Sequence, residues 1–386
     1  MFNIKTLNKI AECGTQELPG DRFFVSPEVE NPDGILLRSY VMEEKDLTPN
    51  LLAIGRAGAG TNNIPVDKCA EKGIVVFNTP GANANAVKEL VIAGLLLASR
   101  KISAGINWAQ SLNGQTGVAK LVEKGKAEFT GPEIAGKKLG VIGLGAIGGL
   151  VANLCRHLGM HVIGYDPYLS VEAAWNLSRG VHKAANEDAL YAECDYLTIH
   201  APSNAETKHK FNAEFFAKCK KGIRILNFSR AELFDNDALK QAIADGIVEC
   251  YVTDFPTEDL LGNEKIITIP HLGASTPESE DNCATMAGEQ LREYILYGNI
   301  KNSVNFPDCE MPVSGRKRIC IIHKNVPNVI GRATSALASK GFNIDNMVNK
   351  SKGDYAYTLI NVDDGDMAGI EDTLKALDAV VRVRVI

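Results

Sequence analysis

The chain has 386 residues, 45% hydrophobic and 23% charged, and its 41 Lys and Arg against 47 Asp and Glu leave a formal charge of −6. That length suits two to three domains of about 150 residues, and the acidic balance argues against non-specific binding to nucleic acid or to a membrane surface. No apolar run reaches the ~20 residues of a membrane span, and the first residues lack a signal-peptide core. Nine dispersed cysteines without a Cys-x-x-Cys pair read as reduced thiols of a cytoplasmic protein, with neither a disulfide scaffold nor a metal site.

Short apolar runs alternate with helix-like segments, the pattern of open parallel sheets. In the first third, Gly34–Leu37, Leu51–Gly55 and Ile74–Phe77 are predicted buried strands, and Val66–Lys72 is a helix closed by Gly73. Ala84–Lys101 is a long helix, apolar on several faces and therefore buried. Residues 102–136 are polar and Gly-rich and read as a connection. A second domain opens with the strand Lys138–Ile142 and continues through strands near His161–Tyr165, Asp195–Ile199, Ile223–Asn227, Val248–Thr253 and Ile266–Ile269. Asp235 or Asn236 caps a helix that Gly246 ends, and Ser275-Thr276-Pro277-Glu278 starts another that runs towards Gly298. Residues 304–315 carry two prolines and a glycine and read as a linker. Beyond it, strand-helix-strand-strand-helix-strand in about 70 residues predicts a small ferredoxin-like domain.

The segment after the 138–142 strand places Gly143, Gly145 and Gly148 in G-x-G-x-x-G spacing. Alone the string is weak, but an apolar strand precedes it, and Ile147, Leu150, Val151, Leu154 and Leu158 form one helical stripe behind it. Asp166 ends the next strand, eighteen residues beyond Gly148. Such a loop turns tightly at Gly143, opens backbone N–H groups to a pyrophosphate at Gly145 and packs helix on strand at Gly148. Asp166 suits the adenosine ribose and repels a 2′-phosphate, so NAD is favoured over NADP.

Of seven histidines, His271 stands out. It leaves a strand's C-terminal end, where open α/β sheets bind ligands, and enters a loop before a capped helix. Arg230 and Glu258 leave two other strand ends on the same rim. Oxidising an alcohol with NAD needs a base near neutral pKa, an acidic partner that fixes its tautomer, and a cation that orients carboxylate and carbonyl oxygens; His271, Glu258 and Arg230 are of those types. His200, also at a strand end, is equally well a packing residue.

The run NFSRAELFDNDAL, then DFPTED, then PHLGAST resembles the D-isomer-specific 2-hydroxyacid dehydrogenases, and the likeness covers nearly the whole chain. It implies a flavodoxin-like substrate domain from residues 1–98 and 281–305, an inserted Rossmann NAD domain at 99–280, and catalysis in the cleft between them. Arg230 would hold the substrate's carboxylate and ketone, Glu258 would be the acid partner and His271 the proton shuttle. Gly143, Gly145, Ala146, Ile147, Gly148, Asp166, Phe228, Ser229, Thr253, Asp254, Gly273 and Ala274 would line the cofactor. Arg38, Ser39, Arg56, Gly58, Ala59 and Gly60 match substrate-binding segments, and a Gly-rich loop beside Arg56 is either an anion cradle or a tight turn. The segment GRAGAGTNNIPVDKCAEKGIVVFNTPGANANAVKELV points within the family to oxidation of 3-phosphoglycerate to 3-phosphohydroxypyruvate, the first step of serine synthesis.

After a linker at 306–316, residues 317–386 resemble an ACT domain, either a module binding an effector such as L-serine through His323, Asn325 and Asn343 or a purely oligomerising tail. The resemblance implies a homodimer or homotetramer with dimer elements in Ala84–Lys101 and Gln110–Glu128. The chain departs from the family where Ala231 and Glu232 replace two glycines, Ala146 replaces an Arg in the fingerprint, Thr253 stands where an Asp is usual with Asp254 one step later, and Asn328 replaces the glycine of a Pro-Gly turn. The alternatives are another D-2-hydroxyacid dehydrogenase, such as a hydroxypyruvate or glyoxylate reductase, or, remotely, an NAD-sensing corepressor-like binding protein.

Overall fold

A computed structural model describes residues 1–363 and 365–386. It divides the chain into two compact units, residues 1–83 with 277–386, and residues 84–276.

The first unit is built on five parallel strands, β1 (Phe2–Leu7), β2 (Phe23–Ser26), β3 (Gly34–Leu37), β4 (Ala53–Arg56) and β5 (Val75–Phe77), in the order β2-β1-β3-β4-β5. This is the flavodoxin-like order. Strands β1 and β2 were not foreseen: β1 reads FNIKTL, and only Ile4 in it is fully buried. One face of the sheet packs Ile4, Leu36 and Phe77 against Leu291, Tyr294 and Ile295 of the Pro277–Tyr297 helix. That helix starts at the predicted Pro277. The other face buries Ile35, Leu37, Ile54 and Val76.

The second unit holds seven parallel strands: β6 (Lys138–Ile142), β7 (His161–Tyr165), β8 (Val181–Lys183), β9 (Tyr196–Ile199), β10 (Ile223–Asn227), β11 (Val248–Thr253) and β12 (Ile266–Thr268). Their order, β12-β11-β10-β9-β6-β7-β8, is the Rossmann order extended by one strand. The winding reverses between β6 and β9, which opens a crevice at their C-terminal ends. The Ala84–Ser99 helix belongs to this unit, so the unit begins at residue 84 where the sequence suggested 99. Val87, Val91 and Leu95 of that helix share a core with Val141, Leu226 and Phe228, and Arg224 Nε donates to Ala98 O at 2.9 Å. The 102–136 stretch, read as a connection, carries the helices Ile102–Ser111 and Val118–Gly125. Neither helix buries a residue, although Ile102 and Ile106 in the first and Val118, Leu121 and Val122 in the second stand at helical spacing.

The tail forms β13 (Lys317–Lys324), β14 (Ile344–Lys352), β15 (Tyr355–Val362) and β16 (Val380–Val385), antiparallel in the order β14-β15-β13-β16. With helices Val329–Ser339 and Ile370–Lys375 this is the expected ferredoxin-like arrangement. It belongs to the same compact unit as the first sheet. Its helices cover one face through Ile319, Ile321, Ala333, Leu337 and Leu374. On the other face Cys320, Ile322, Tyr357 and Leu359 join the core under the first sheet. Within the expected linker, Phe306, Cys309 and Met311 are buried in that core, so the segment is cemented between the two sheets.

Polar groups of the tail also cap the Pro277–Tyr297 helix. A helix leaves its last carbonyls without partners and carries partial negative charge at that end. Arg384 Nη1 and Nη2 donate to Tyr294 O (3.1 Å) and Ile295 O (2.7 Å), and its guanidinium lies 4.8 Å from the Tyr294 ring centroid. Arg318 Nη1 donates to Tyr297 O at 2.7 Å, and the Tyr357 hydroxyl to Gly298 O at 2.7 Å. Among the described residues no helix is long and apolar enough to cross a membrane, no group of side chains could hold a metal ion, and all nine cysteines are free.

Candidate active site

The cofactor loop follows β6. Gly143 takes a φ of +82° and donates its N–H to Tyr165 O at 2.9 Å, turning the chain into the Ala146–His157 helix with Gly145 as N-cap. No side chain caps this helix, and among the described residues the N–H groups of Ala146, Ile147 and Gly148 find no acceptor. A β-carbon on Gly148 would lie 1.9 Å from Gly143 O, whereas one on Gly145 would meet nothing within 4 Å. One glycine is thus demanded by the fold, and the other leaves open space before three free donors. That is a diphosphate seat. Asp166 Oδ2 accepts from Leu144 N at 2.8 Å and Oδ1 from Tyr168 N at 2.9 Å. Each oxygen keeps a second lone pair for a ribose hydroxyl, so these residues fit NAD.

His200 follows β9 at the reversal point. Its Nε2 lies 3.0 Å from Thr198 Oγ1, Nδ1 is buried without a partner, and burial pulls the imidazole pKa down to about 4. The ring lies against the fingerprint, 3.3 Å from where a Gly148 β-carbon would stand. His200 is therefore a neutral wall of the crevice.

On the rim beyond β10, β11 and β12, fully buried Asn227 sets the turn that carries Arg230. Its Nδ2 donates to Arg230 O (2.9 Å) and to the Tyr251 hydroxyl (3.1 Å), and its Oδ1 accepts from Ser229 N (3.1 Å). Sequence reading missed this residue; an Asn at the end of an apolar strand, three residues before the Arg, was the signal. Ser229 Oγ donates to Ile199 O at 2.6 Å, and exposed Arg230 folds Nη1 back to Ser229 O at 2.6 Å. Arg230 has extended backbone angles (φ −151°, ψ 143°) and Ala231–Leu233 forms a short 3-10 turn, so the usual glycines are not required. The Phe228 ring turns away into the core beside Gly94, leaving only its backbone for the cofactor role expected of it.

Thr253 and Asp254 are both buried, at 1% exposure. Thr253 Oγ1 accepts from Phe255 N at 3.2 Å. Asp254 Oδ1 is buried without a partner, and its Oδ2 stands 3.3 Å from the β-carbon position of Gly273. Burial holds the Asp254 carboxyl above the usual carboxylate range, against the opposing pull of His271, the Gly273 N–H and Arg230. The His271 ring is exposed and packs on Phe255, with centroids 4.9 Å apart at 52°. Glu258 is exposed, and no described hydrogen bond or ion pair joins it to His271. Asp254 lies within electrostatic reach of His271 and Arg230. Gly273 is buried and Ala274 half-buried in the same loop.

The remaining expected residues lie in the first unit. Arg38 pairs with Glu280 at 2.5 Å, and Ser39 is exposed. In the loop after β4, Gly58 has φ +146° and the Arg56 guanidinium lies across it, since a β-carbon there would be 2.0 Å from Nη1. Ala57 N and Gly58 N donate to Leu37 O and Arg56 O. The N–H groups of Ala59 and Gly60 have no backbone acceptor among the described residues and stand beside that cation.

His323, Asn325 and Asn343 do not converge within one chain. His323 is buried, with Nδ1 2.8 Å from Lys324 O and Nε2 3.0 Å from Thr358 Oγ1. Both ring nitrogens are thus engaged internally. Exposed Asn325 donates Nδ2 to Gly353 O at 3.1 Å. Asn343 precedes β14 at the sheet end where Ile344 pairs with Val362, whereas His323 pairs with Ala356 near the other end. Asn328 takes φ +71°, a conformation that Asn tolerates, which explains how it replaces the usual glycine.

A Rossmann sheet with an open helix N-terminus, an acidic residue after its second strand, and Arg and His after the strands on either side of the one that leads to Asp254 defines a nicotinamide-dependent dehydrogenase. Residues 92–273 match the family model described as D-isomer specific 2-hydroxyacid dehydrogenase, NAD binding domain. The D-3-phosphoglycerate dehydrogenase of Haemophilus influenzae is 29% identical over 373 residues, covering 92% of this chain and 86% of that protein. A protein named putative D-3-phosphoglycerate dehydrogenase from Schizosaccharomyces pombe is 30% identical over 379 residues, covering 91% and 77%. Other curated relatives are longer, and the chain spans 57% of those from Methanocaldococcus jannaschii and Synechocystis. The crystal structure of NAD+-bound 3-phosphoglycerate dehydrogenase from Entamoeba histolytica superposes with a TM-score of 0.60 at 25% identity, over 79% of this chain and 98% of that one. The chain belongs to the D-isomer-specific 2-hydroxyacid dehydrogenase family, and its cofactor is NAD.

Proposed function

We propose that the protein oxidises 3-phospho-D-glycerate to 3-phosphohydroxypyruvate with NAD, in the first step of L-serine biosynthesis. The observation that carries this reading is the grouping of Arg230, Asp254 and His271 on adjacent strand ends beside the free helix N-terminus; relatives named for this activity support the choice of substrate. Ala146, Ile147 and Gly148 would hold the diphosphate and Asp166 the adenosine ribose. NAD, when bound, supplies the hydride acceptor. A ring nitrogen of His271 takes the proton of the C2 hydroxyl as the C–H bond breaks, and Arg230 orients the carboxylate and the developing carbonyl. Asp254 and Glu258 favour the imidazolium so formed. In the first unit, Arg56, the N–H groups of Ala59 and Gly60, Arg38 and Ser39 are the groups proposed to bind the substrate's phosphate.

The test is reduction of NAD at 340 nm with 3-phosphoglycerate, with hydrazine trapping the ketone. Absence of signal, or a kcat/KM higher for glyoxylate or hydroxypyruvate in the reverse direction, refutes the substrate assignment. His271→Ala abolishes turnover and leaves NADH binding intact; retained turnover refutes the role of His271. The reading extends to L-serine as effector at the rim where Asn325 is exposed, checked by titrating serine into the assay. It also extends to a homodimer or homotetramer through the exposed Ile102, Ile106 and Val118, checked by sedimentation. A cytoplasmic setting fits the free thiols.

A further inference from the structure

We propose that the first unit carries an anion site of its own, in the cleft between edge strand β14 and the loop after the Pro277–Tyr297 helix. The cleft is open to solvent and measures about 630 Å³, and Asn78, Asn302, Ser303, Asp308, Lys350 and Lys352 are among its walls.

Two ammonium groups reach it because of strand parity. In β14, Val348 packs on the core shared with the first sheet, and alternate residues of a strand share a face, so Lys350 and Lys352 project to that side. They stand opposite Tyr357 and Tyr355 of β15. Lys352 Nζ donates to Ser303 O at 2.9 Å, and among the described residues neither lysine forms a salt bridge. The one acidic wall residue, Asp308, is occupied by Asn302 N, which donates to its Oδ1 at 2.8 Å. The lining thus keeps a net positive charge in a recess large enough for a small metabolite. Compact ammonium groups bind phosphate or carboxylate as point charges, so the ligand is a small molecule bearing one of these oxyanions.

The site has a route to the substrate loop. Asn78, on its wall, donates Nδ2 to Ala59 O at 2.6 Å, and the next residue, Thr79, donates its N–H to Gly58 O at 3.1 Å. Ser303, which accepts from Lys352, bridges to Phe77 at the end of β5. An occupant that draws Lys352 or Asn78 towards itself alters the support of the Arg56–Gly60 loop. It therefore changes KM for the substrate more than kcat, a consequence that rests on the function proposed above.

Binding is tested directly on the full chain by calorimetric titration with inorganic phosphate and, separately, with acetate, comparing wild type with the Lys350→Gln/Lys352→Gln double variant. Both positions are exposed, so the variant keeps the fold, verified by its denaturation midpoint. The expected result is one phosphate equivalent fewer in the double variant, or at least tenfold weaker binding. Unchanged stoichiometry and affinity for both anions overturn the site. Loss confined to the phosphate arm assigns a phosphate ester, and loss in both arms assigns any small oxyanion. In the kinetic arm, phosphate shifts KM for 3-phosphoglycerate at least threefold beyond simple competition in wild type and not in the double variant. An identical KM response in the two proteins overturns the coupling. The binding arm needs no turnover, so failure of the proposed reaction leaves it readable.

Discussion

Two glycines in the same loop make opposite demands, and alanine separates them. In Gly148→Ala the new methyl would lie 1.9 Å from Gly143 O and 3.3 Å from the His200 ring. Relief requires the helix or the turn to move by roughly 1 Å, and overpacking of this kind costs about 1–3 kcal/mol. The same movement displaces the N–H groups of Ala146, Ile147 and Gly148. NADH affinity then falls at least tenfold, about 1.4 kcal/mol. In Gly145→Ala the methyl enters open space at φ −68° and ψ −155°, at the edge of the extended region open to alanine, so the loss of stability stays below the about 1–3 kcal/mol of the Gly148 clash. Yet that space lies before the free donors, and NADH binding again weakens at least tenfold. Urea denaturation midpoints and quenching of NADH fluorescence measure the two quantities. Should Gly145→Ala bind NADH as the wild type does, the diphosphate seat is misplaced. Should Gly148→Ala keep full stability, the close approach inferred for it is wrong.

Three further outcomes are expected. Asn227→Ala removes three hydrogen bonds of about 1 kcal/mol each and frees the Arg230 turn, so the denaturation midpoint drops and kcat/KM falls by about 100-fold; an unchanged kcat/KM would show that Arg230 needs no such support. Arg384→Met deletes two buried charge-assisted hydrogen bonds at the end of the Pro277–Tyr297 helix and destabilises by about 3 kcal/mol, read in urea. His200, with its pKa lowered from 6.5 to about 4, is neutral in the fold and protonated in the unfolded chain between those values. Its contribution is complete above pH 6.5 and is lost as the pH falls towards 4, by about 1.4 kcal/mol per unit; in His200→Asn this part of the slope is gone.

Local patterns made much of the molecule readable. The Gly143–Gly148 spacing and Asp166 specify a strand, a turn and a helix within thirty residues, and the structure forms each of them; of the predicted stripe, Val151 is buried, whereas Leu150 and Leu158 are exposed. Asp235 caps its helix by accepting from Asp237 N and Ala238 N, as the sequence indicated. What remained hidden depends on distant partners. Nothing near Asp254 in sequence reveals that it, and not Glu258, is buried beside Gly273 and within reach of the His271 charge. His323 has the chemistry of a ligand, but Thr358, thirty-five positions away, claims its Nε2. Arg318 and Arg384 alternate with apolar residues as solvated strand positions do, and only the end of another element explains their burial.

That end carries an evolutionary implication. A terminal appendage is ordinarily gained or lost without harm to its host, but here three terminal carbonyls of the Pro277–Tyr297 helix and that of Gly298 just beyond it are answered by side chains of the tail. Excising residues 317–386 would strand those groups and bare the Tyr294 ring, so the host sheet has become a dependant of its own accessory. Trimming the gene to a minimal dehydrogenase would first require redesigning the last turn of that helix.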